Sequence, residues 1–484
     1  MRAVFVALTV VLCASTGWSQ QPDQSTKGAV IKGRAPVSEQ VLQVKLPRAE
    51  EAELSNGVHL MVLEDHRAPA ISFQLIIQGA GGYYDPTDLP GLADFTAALM
   101  REGTKSRTAQ QIAEQLDTLA ATVGVGTSMG SQVATVSGSS LTENFDQLLT
   151  LATDILLNPT FPEDEIARFK TRQRAGLIQQ RSNPGFLARE MIARVLYGGH
   201  PASRVSTTMP ALELLGHADL VGFHRRTYIP DHAVIGVSGD ITLADARKKF
   251  ERALADWRKT GAARPTVSDP SDVAGSKVYL INRAGSVQTS LVVGSLGISR
   301  LSPDYDVVAV MNHIVGGGPT GRLLLNLRED TGYTYGASSG LSALRYRGSW
   351  QATTDVRSEV TGPALTELMA EIRSLRDERV PDREFRAAKR ALVASFALDL
   401  ESPGGILGDH ITRWLYNLPL DYWDKYPDRI MAVTQEQVQA AARKYLDGSR
   451  LQIVAVGDGA KVAESLKAFG AVETYDTEGR KIGD

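Results

Sequence analysis

Apolar residues recur along the chain with two different periods. Residues 57–80, GVHLMVLEDHRAPAISFQLIIQGA, and 277–297, KVYLINRAGSVQTSLVVGSLG, alternate or run apolar over short stretches, which predicts paired strands. Helical spacing takes over between them. Ile112, Leu116 and Leu119 form one apolar stripe, and Phe145, Leu148, Leu149 and Ala152 form another. Two long amphipathic stretches are each introduced by a proline: FPEDEIARFKTRQRAGLIQ (161–179) and VPDREFRAAKRALVASFAL (380–398). Two further stretches each run from a helix into a strand that ends near Gly-Asp: FHRRTYIPDHAVIGVSGD (223–240) and ARKYLDGSRLQIVAVGDG (442–459).

Strand pair, proline-led helix and closing helix–strand occur twice in the same order, which is the signature of an internal duplication. The fold class that follows is α+β: two duplicated domains, each a mostly antiparallel sheet covered by helices. Residues 259–276, KTGAARPTVSDPSDVAGS, show no apolar period and are rich in turn residues, so they are expected to be the linker. The expected domains are 48–258 and 277–470, each of reasonable domain size. A polar, extended N-terminal arm (20–47) is expected before them and a C-terminal tail (471–484) after them. Such a duplicated pair can close on itself or on a partner as two facing halves.

The first nineteen residues differ from the rest. Arg2 precedes an apolar run over 3–14 that is too short to span a bilayer, and Gly17 and Ser19 fit the small positions before a cut near Gln20. This predicts a secretory signal peptide (1–19) and a periplasmic protein. Leu12 is too bulky for a lipoprotein signal ending at Cys13, so that reading is set aside. Cys13 is the only cysteine, and its removal leaves neither a disulfide nor a thiolate metal site. No later stretch reaches membrane length. With 43% hydrophobic residues, 22% charged residues and a net charge of −3, the composition is that of a globular protein without a nucleic-acid footprint.

The candidate chemistry centres on PGLADFTAALMREGT (90–104). Leu92, Phe95 and Leu99 give it an apolar face, and Gly103 is a helix stop. Asp94 and Ala98 are one turn apart on a shared face, with Ala97 adjoining. The stretch from Gly81 to Thr104 resembles the insulinase/pitrilysin-type metallopeptidases, the inverted zincins, of the mitochondrial processing-peptidase branch. Their helix carries His-x-x-Glu-His between Gly-Leu-Ala and Gly-Thr. Here the frame stands, while Asp94, Ala97 and Ala98 occupy the three functional positions. Zinc catalysis needs three protein ligands and an open position. Neither alanine can ligate or take a proton, and one aspartate does not hold zinc. The resemblance implies a third ligand, a glutamate, near RAGLIQQRSNPG (174–185), where there is no carboxylate. No metal is therefore expected on this chain. Nor do the histidines (59, 66, 200, 217, 224, 232, 313 and 410) form a ligand motif; they read as lone residues.

The second block keeps more. MNHIVGGGPTGRLLLNLREDTGYTYGASSG (311–340) predicts a short helix with Leu323, Leu324 and Leu327, a stop at Gly332 and a strand beyond it. The stretch resembles the family's Arg-Glu-x-x-Gly-x-x-Tyr segment at Arg328, Glu329, Gly332 and Tyr335, with Tyr333 replacing a more usual leucine. The resemblance implies that Arg328 and Tyr335 reach across a clamshell-like chamber to the substrate beside a partner's zinc. Taken alone, Arg328 pairs as readily with Glu329 or Asp330, and Tyr335 serves as a strand aromatic. GGGPTG (316–321) lacks the Lys-Ser/Thr of a phosphate loop and reads as a turn. The aromatic stretch 411–426 reads as a packing cluster, with the lining of a peptide chamber as the alternative.

Two functions fit. The first is a non-catalytic, substrate-binding subunit of an exported heteromeric zinc metallopeptidase acting on peptides or unfolded segments. In it, zinc belongs to a homologous exported partner carrying H-x-x-E-H. The second is a catalytically dead scaffold or peptide-binding protein with no peptidase partner. A different active site has no motif to support it.

Overall fold

A computed structural model describes residues 45–482. The expected signal peptide, Cys13 and the arm up to residue 44 lie outside the described residues. The first sheet contains β1 (Glu50–Glu53), β2 (His59–Glu64), β3 (Ala70–Gln78), β4 (Thr122–Gly126), β5 (Val133–Leu141) and β6 (Ala233–Gly239), in the order β1-β2-β6-β3-β5-β4. The second contains β7 (Val278–Asn282), β8 (Gln288–Leu296), β9 (Thr334–Leu341), β10 (Ser349–Arg357), β11 (Gln452–Gly457) and β12 (Val472–Tyr475), in the order β12-β7-β11-β8-β10-β9. Five strands of each sheet correspond one to one. Most pairings are antiparallel; β2 with β6, β7 with β11 and β7 with β12 are parallel. The fold is α+β, with two six-stranded sheets covered by helices.

The strands expected to pair at the start of each block do not touch each other. β6 lies between β2 and β3, and β11 lies between β7 and β8. The reason is burial. β6 (AVIGVSG) and β11 (QIVAVG) are apolar on both faces and almost wholly buried, so each takes a central position. The two proline-led helices match closely. Glu163–Gln180 and Asp382–Asp399 each start after a proline, with φ and ψ of −57° and 137° at Pro162 and −57° and 140° at Pro381.

Two corrections concern the domain boundaries. The expected C-terminal tail contains β12, which pairs with β7, and Arg194 lies 5.2 Å from the centre of the Tyr475 ring. VETY alternates too briefly to stand out as a strand without its partner. The halves also exchange helices. Pro184–Tyr197 of the first half packs Leu187, Met191 and Ile192 on Ile281, Val292 and Val454 of the second sheet. Pro403–Tyr416 of the second half packs Leu407 and Ile411 on Met61, Ile76 and Val234 of the first. Gly236 permits that approach, because a Cβ there would lie 2.9 Å from side-chain atoms of Leu407 and Ile411. The far face of each sheet is too apolar to stand in water, and the other half covers it. The linker is also docked. Asp231 accepts N–H groups of Thr260, Gly261 and Ala262, and Tyr83 Oη accepts the Ser268 N–H at 3.1 Å.

Candidate functional site

The emptied helix spans Leu92–Leu99 and tightens through Met100–Glu102 before Gly103. Gly91 precedes it with φ 102°, a left-handed conformation that a side chain would strain. Asp85 closes the helix start, accepting the N–H of Gly91 at 2.7 Å and of Ala93 at 2.8 Å. Burial pushes the Asp85 carboxyl up to about 6, against the opposing pull of those two N–H groups. Thr104 donates to Asp154 at 2.6 Å and accepts the Arg107 N–H at 3.0 Å. The retained frame thus has its own structural uses, which need no metal: Gly91 turns the chain, Ala93 is fully buried and Thr104 ties down the exit.

The three emptied positions have different surroundings. Asp94 lines a cleft of about 730 Å³, and burial raises its carboxyl above the ordinary range. Ala97 is 1% exposed, and Ala98 packs half-buried against the first core. Phe95 meets Phe169 edge-on at 5.3 Å, which brings the helix Glu163–Gln180 alongside. From that helix Gln173, Leu177 and Gln180 line the same cleft. The carboxylate and amide side chains lining the cleft are those of Asp94 and of Gln78, Gln132, Gln173 and Gln180. That set does not fit catalytic zinc, and no group of three or more His, Cys, Asp or Glu side chains among the described residues could hold a metal ion.

The histidines act as pins. His200, His217, His224, His232 and His410 each place a ring nitrogen on a backbone carbonyl. His59 binds Glu51 and His66 binds Asp240, whereas His313 Nε2 is buried without a partner.

Arg328 and Tyr335 do not join this cleft. Arg328 lies in a wide helical turn (Leu325–Asp330) and pairs with Glu329 at 3.4 Å. Gly332, at φ 65°, stops the helix as expected. Tyr335 follows near the start of β9, the edge strand of the second sheet, and is 94% exposed. The aromatic stretch divides: Tyr422, Trp423 and Tyr426 pack with one another and Phe396, while Leu415 and Tyr416 line the cleft. Sequence reasoning missed the cleft's arginines, Arg189, Arg204 and Arg345. They are far apart in the chain, and no local motif marks them.

Comparison with known proteins agrees with this geometry. The sequence pattern described as "Insulinase (Peptidase family M16)" matches residues 60–207, and "Peptidase M16 inactive domain" matches 215–392. A Pseudomonas fluorescens structure described as a peptidase M16 inactive domain superposes with a TM-score of 0.78 at 30% identity, covering 84% of this chain and 98% of that one. The "Uncharacterized zinc protease YmxG" of Bacillus subtilis is 23% identical, over 80% of this chain and 93% of that protein. The "Non-peptidase homolog YmxG" of Helicobacter pylori is also 23% identical, over 78% of this chain and 86% of that protein. This chain belongs to peptidase family M16, the insulinase family.

Proposed function

We propose that this chain is the non-catalytic, substrate-binding subunit of an exported zinc metallopeptidase that acts on peptides or unfolded segments. A homologous exported partner carries H-x-x-E-H and the zinc. This chain supplies one half of the chamber, with Arg328 and Tyr335 directed at the partner's site. The observation that carries the reading is Tyr335. It stands 94% exposed on an edge strand, and Arg328 lies in the helical turn that precedes that strand. A neutral phenol can donate a hydrogen bond to the oxyanion of a tetrahedral intermediate, and a guanidinium can hold peptide carbonyls. The pairing of Arg328 with Glu329 favours a second reading, a dead scaffold or peptide-binding protein without a peptidase partner.

The experiment purifies this chain alone, together with an exported homologue bearing H-x-x-E-H, and that homologue alone. It then follows cleavage of an unstructured peptide. Cleavage by the mixture well above the homologue alone supports the subunit reading. A mixture with neither complex nor added cleavage supports the scaffold.

A further inference from the structure

The cleft beside the emptied helix is positively charged, although the whole chain carries a net charge of −3. Arg189, Arg204 and Arg345 line it, and Asp94 is the only carboxylate among its lining residues. Each arginine comes from a different element. Arg189 lies on the helix Pro184–Tyr197, Arg204 just after the short turn Pro201–Ser203, and Arg345 on the loop between β9 and β10.

Carbonyl oxygens hold two of them, and the third, Arg189, is exposed over an aromatic ring. Arg204 Nη1 donates to the carbonyl oxygen of Asp85 at 2.9 Å, Arg345 Nη2 donates to that of Leu415, and Arg189 lies 5.8 Å from the centre of the Phe186 ring. Among the described residues none of the three forms an ion pair with a carboxylate. The buried Asp85 carboxylate accepts from the helix start and feels the Arg204 charge without forming an ion pair with it. Arg345 is the most constrained. It is half-buried, stacks 5.4 Å from the Tyr416 ring, and its charge is opposed by both burial and the cation of Arg264. A partly desolvated guanidinium without a counter-charge is a cost that a bound anion would relieve.

Two neighbours extend the surface. Tyr84 lines the cleft, and burial pushes its phenol up to about 12, so it remains a hydrogen-bond donor at neutral pH. Thr207 Oγ1, also in the lining, is buried and has no partner within the protein. The donors are distributed over walls from both halves. That arrangement suits a chain with carboxylates at intervals better than one compact anion.

We infer that this cleft selects acidic peptides, with Arg189, Arg204 and Arg345 receiving carboxylates of side chains or of a peptide C terminus. The inference rests on the peptide-binding reading above and narrows it to a substrate class. The planar, always-charged guanidinium matches a carboxylate with two parallel hydrogen bonds, which lysine does not. The cationic side of the cleft faces a single carboxylate, Asp94.

The test uses the full mature chain and fluorescence polarisation with labelled, unstructured peptides of equal length. One contains Asp and Glu and the other Asn and Gln at the same positions, each with a free or an amidated C terminus. The acidic peptide is expected to bind about tenfold tighter than its neutral counterpart, the ratio one well-placed charge pair gives. Arg345→Gln with Arg189→Gln should abolish that ratio while neutral-peptide binding persists, and Asp94→Asn should increase it. Arg345→Lys, which keeps the charge, reports on folding and should retain part of the ratio. The ratio between peptides with the same C terminus reports side-chain carboxylates, and weaker binding of both peptides on amidation would add a contribution from the terminal carboxylate. Equal affinity for acidic and neutral peptides overturns the inference and leaves peptide binding intact. No binding of either peptide overturns both. Full displacement of the acidic peptide by inorganic phosphate, at constant ionic strength, would identify a compact-anion site instead and also overturn it.

Discussion

On the proposed subunit reading, replacing Tyr335 with Phe in a complex of this chain with a zinc-bearing homologue is expected to reduce kcat by about 10²–10³-fold, the loss that follows removal of one oxyanion-hole donor. The substitution isolates one atom. Phe keeps the ring, its shape and the β-propensity of β9, and the ring has almost no contact in this chain to lose. Stability should stay within about 0.5 kcal/mol, as at other exposed positions. KM should change little, because the hydrogen bond forms chiefly when charge develops on the substrate oxygen. Steady-state kinetics of the complex provides the measurement. A variant with unchanged kcat would mean that Tyr335 does not act on the reaction, and the subunit reading would lose its main support.

A second large effect is expected at Ala97. Introducing a carboxylate by Ala97→Glu should destabilise the chain by about 3–5 kcal/mol, the size associated with an uncompensated buried charge. Ala97 is 1% exposed in a helix whose neighbours Ala93 and Thr96 are fully buried. Burial already raises the carboxyls of Asp94 and Asp85, and a carboxylate enclosed within the helix at position 97 would meet the same desolvation. The introduced carboxylate would stand three residues from Asp94 on the same helix, where like charges repel. Ala97→Gln serves as the control. It adds similar bulk without charge and should cost about 1–3 kcal/mol from overpacking alone. Thermal unfolding of the variants separates the terms. An Ala97→Glu chain as stable as the parent would mean that this position still opens to solvent.

The duplication was legible because both copies retain local signals. Pro162 and Pro381 start equivalent helices with nearly identical dihedral angles, and five strands recur in the same order. The placement of β6 and β11 between their neighbours was not legible, nor was the exchange of the helices Pro184–Tyr197 and Pro403–Tyr416. Both depend on which apolar faces meet, and an amphipathic stripe does not name its partner. At the helix Leu92–Leu99, the sequence suggested a retained scaffold but left the scaffold's purpose open. The hydrogen bonds of Asp85 and Thr104 supply that purpose. The cleft's cationic wall was invisible for a simpler reason: Arg189, Arg204 and Arg345 meet only after the two halves pack together.

Metal analysis of the isolated mature chain, dialysed against zinc and then against metal-free buffer, tests the central claim most directly when combined with a peptide-cleavage assay. The expected result is zinc far below one equivalent and no cleavage, because the cleft offers one carboxylate, Asp94, and only glutamine amides where three ligands and a base are needed. One retained zinc per chain, with unaided cleavage that a chelator abolishes, would contradict it.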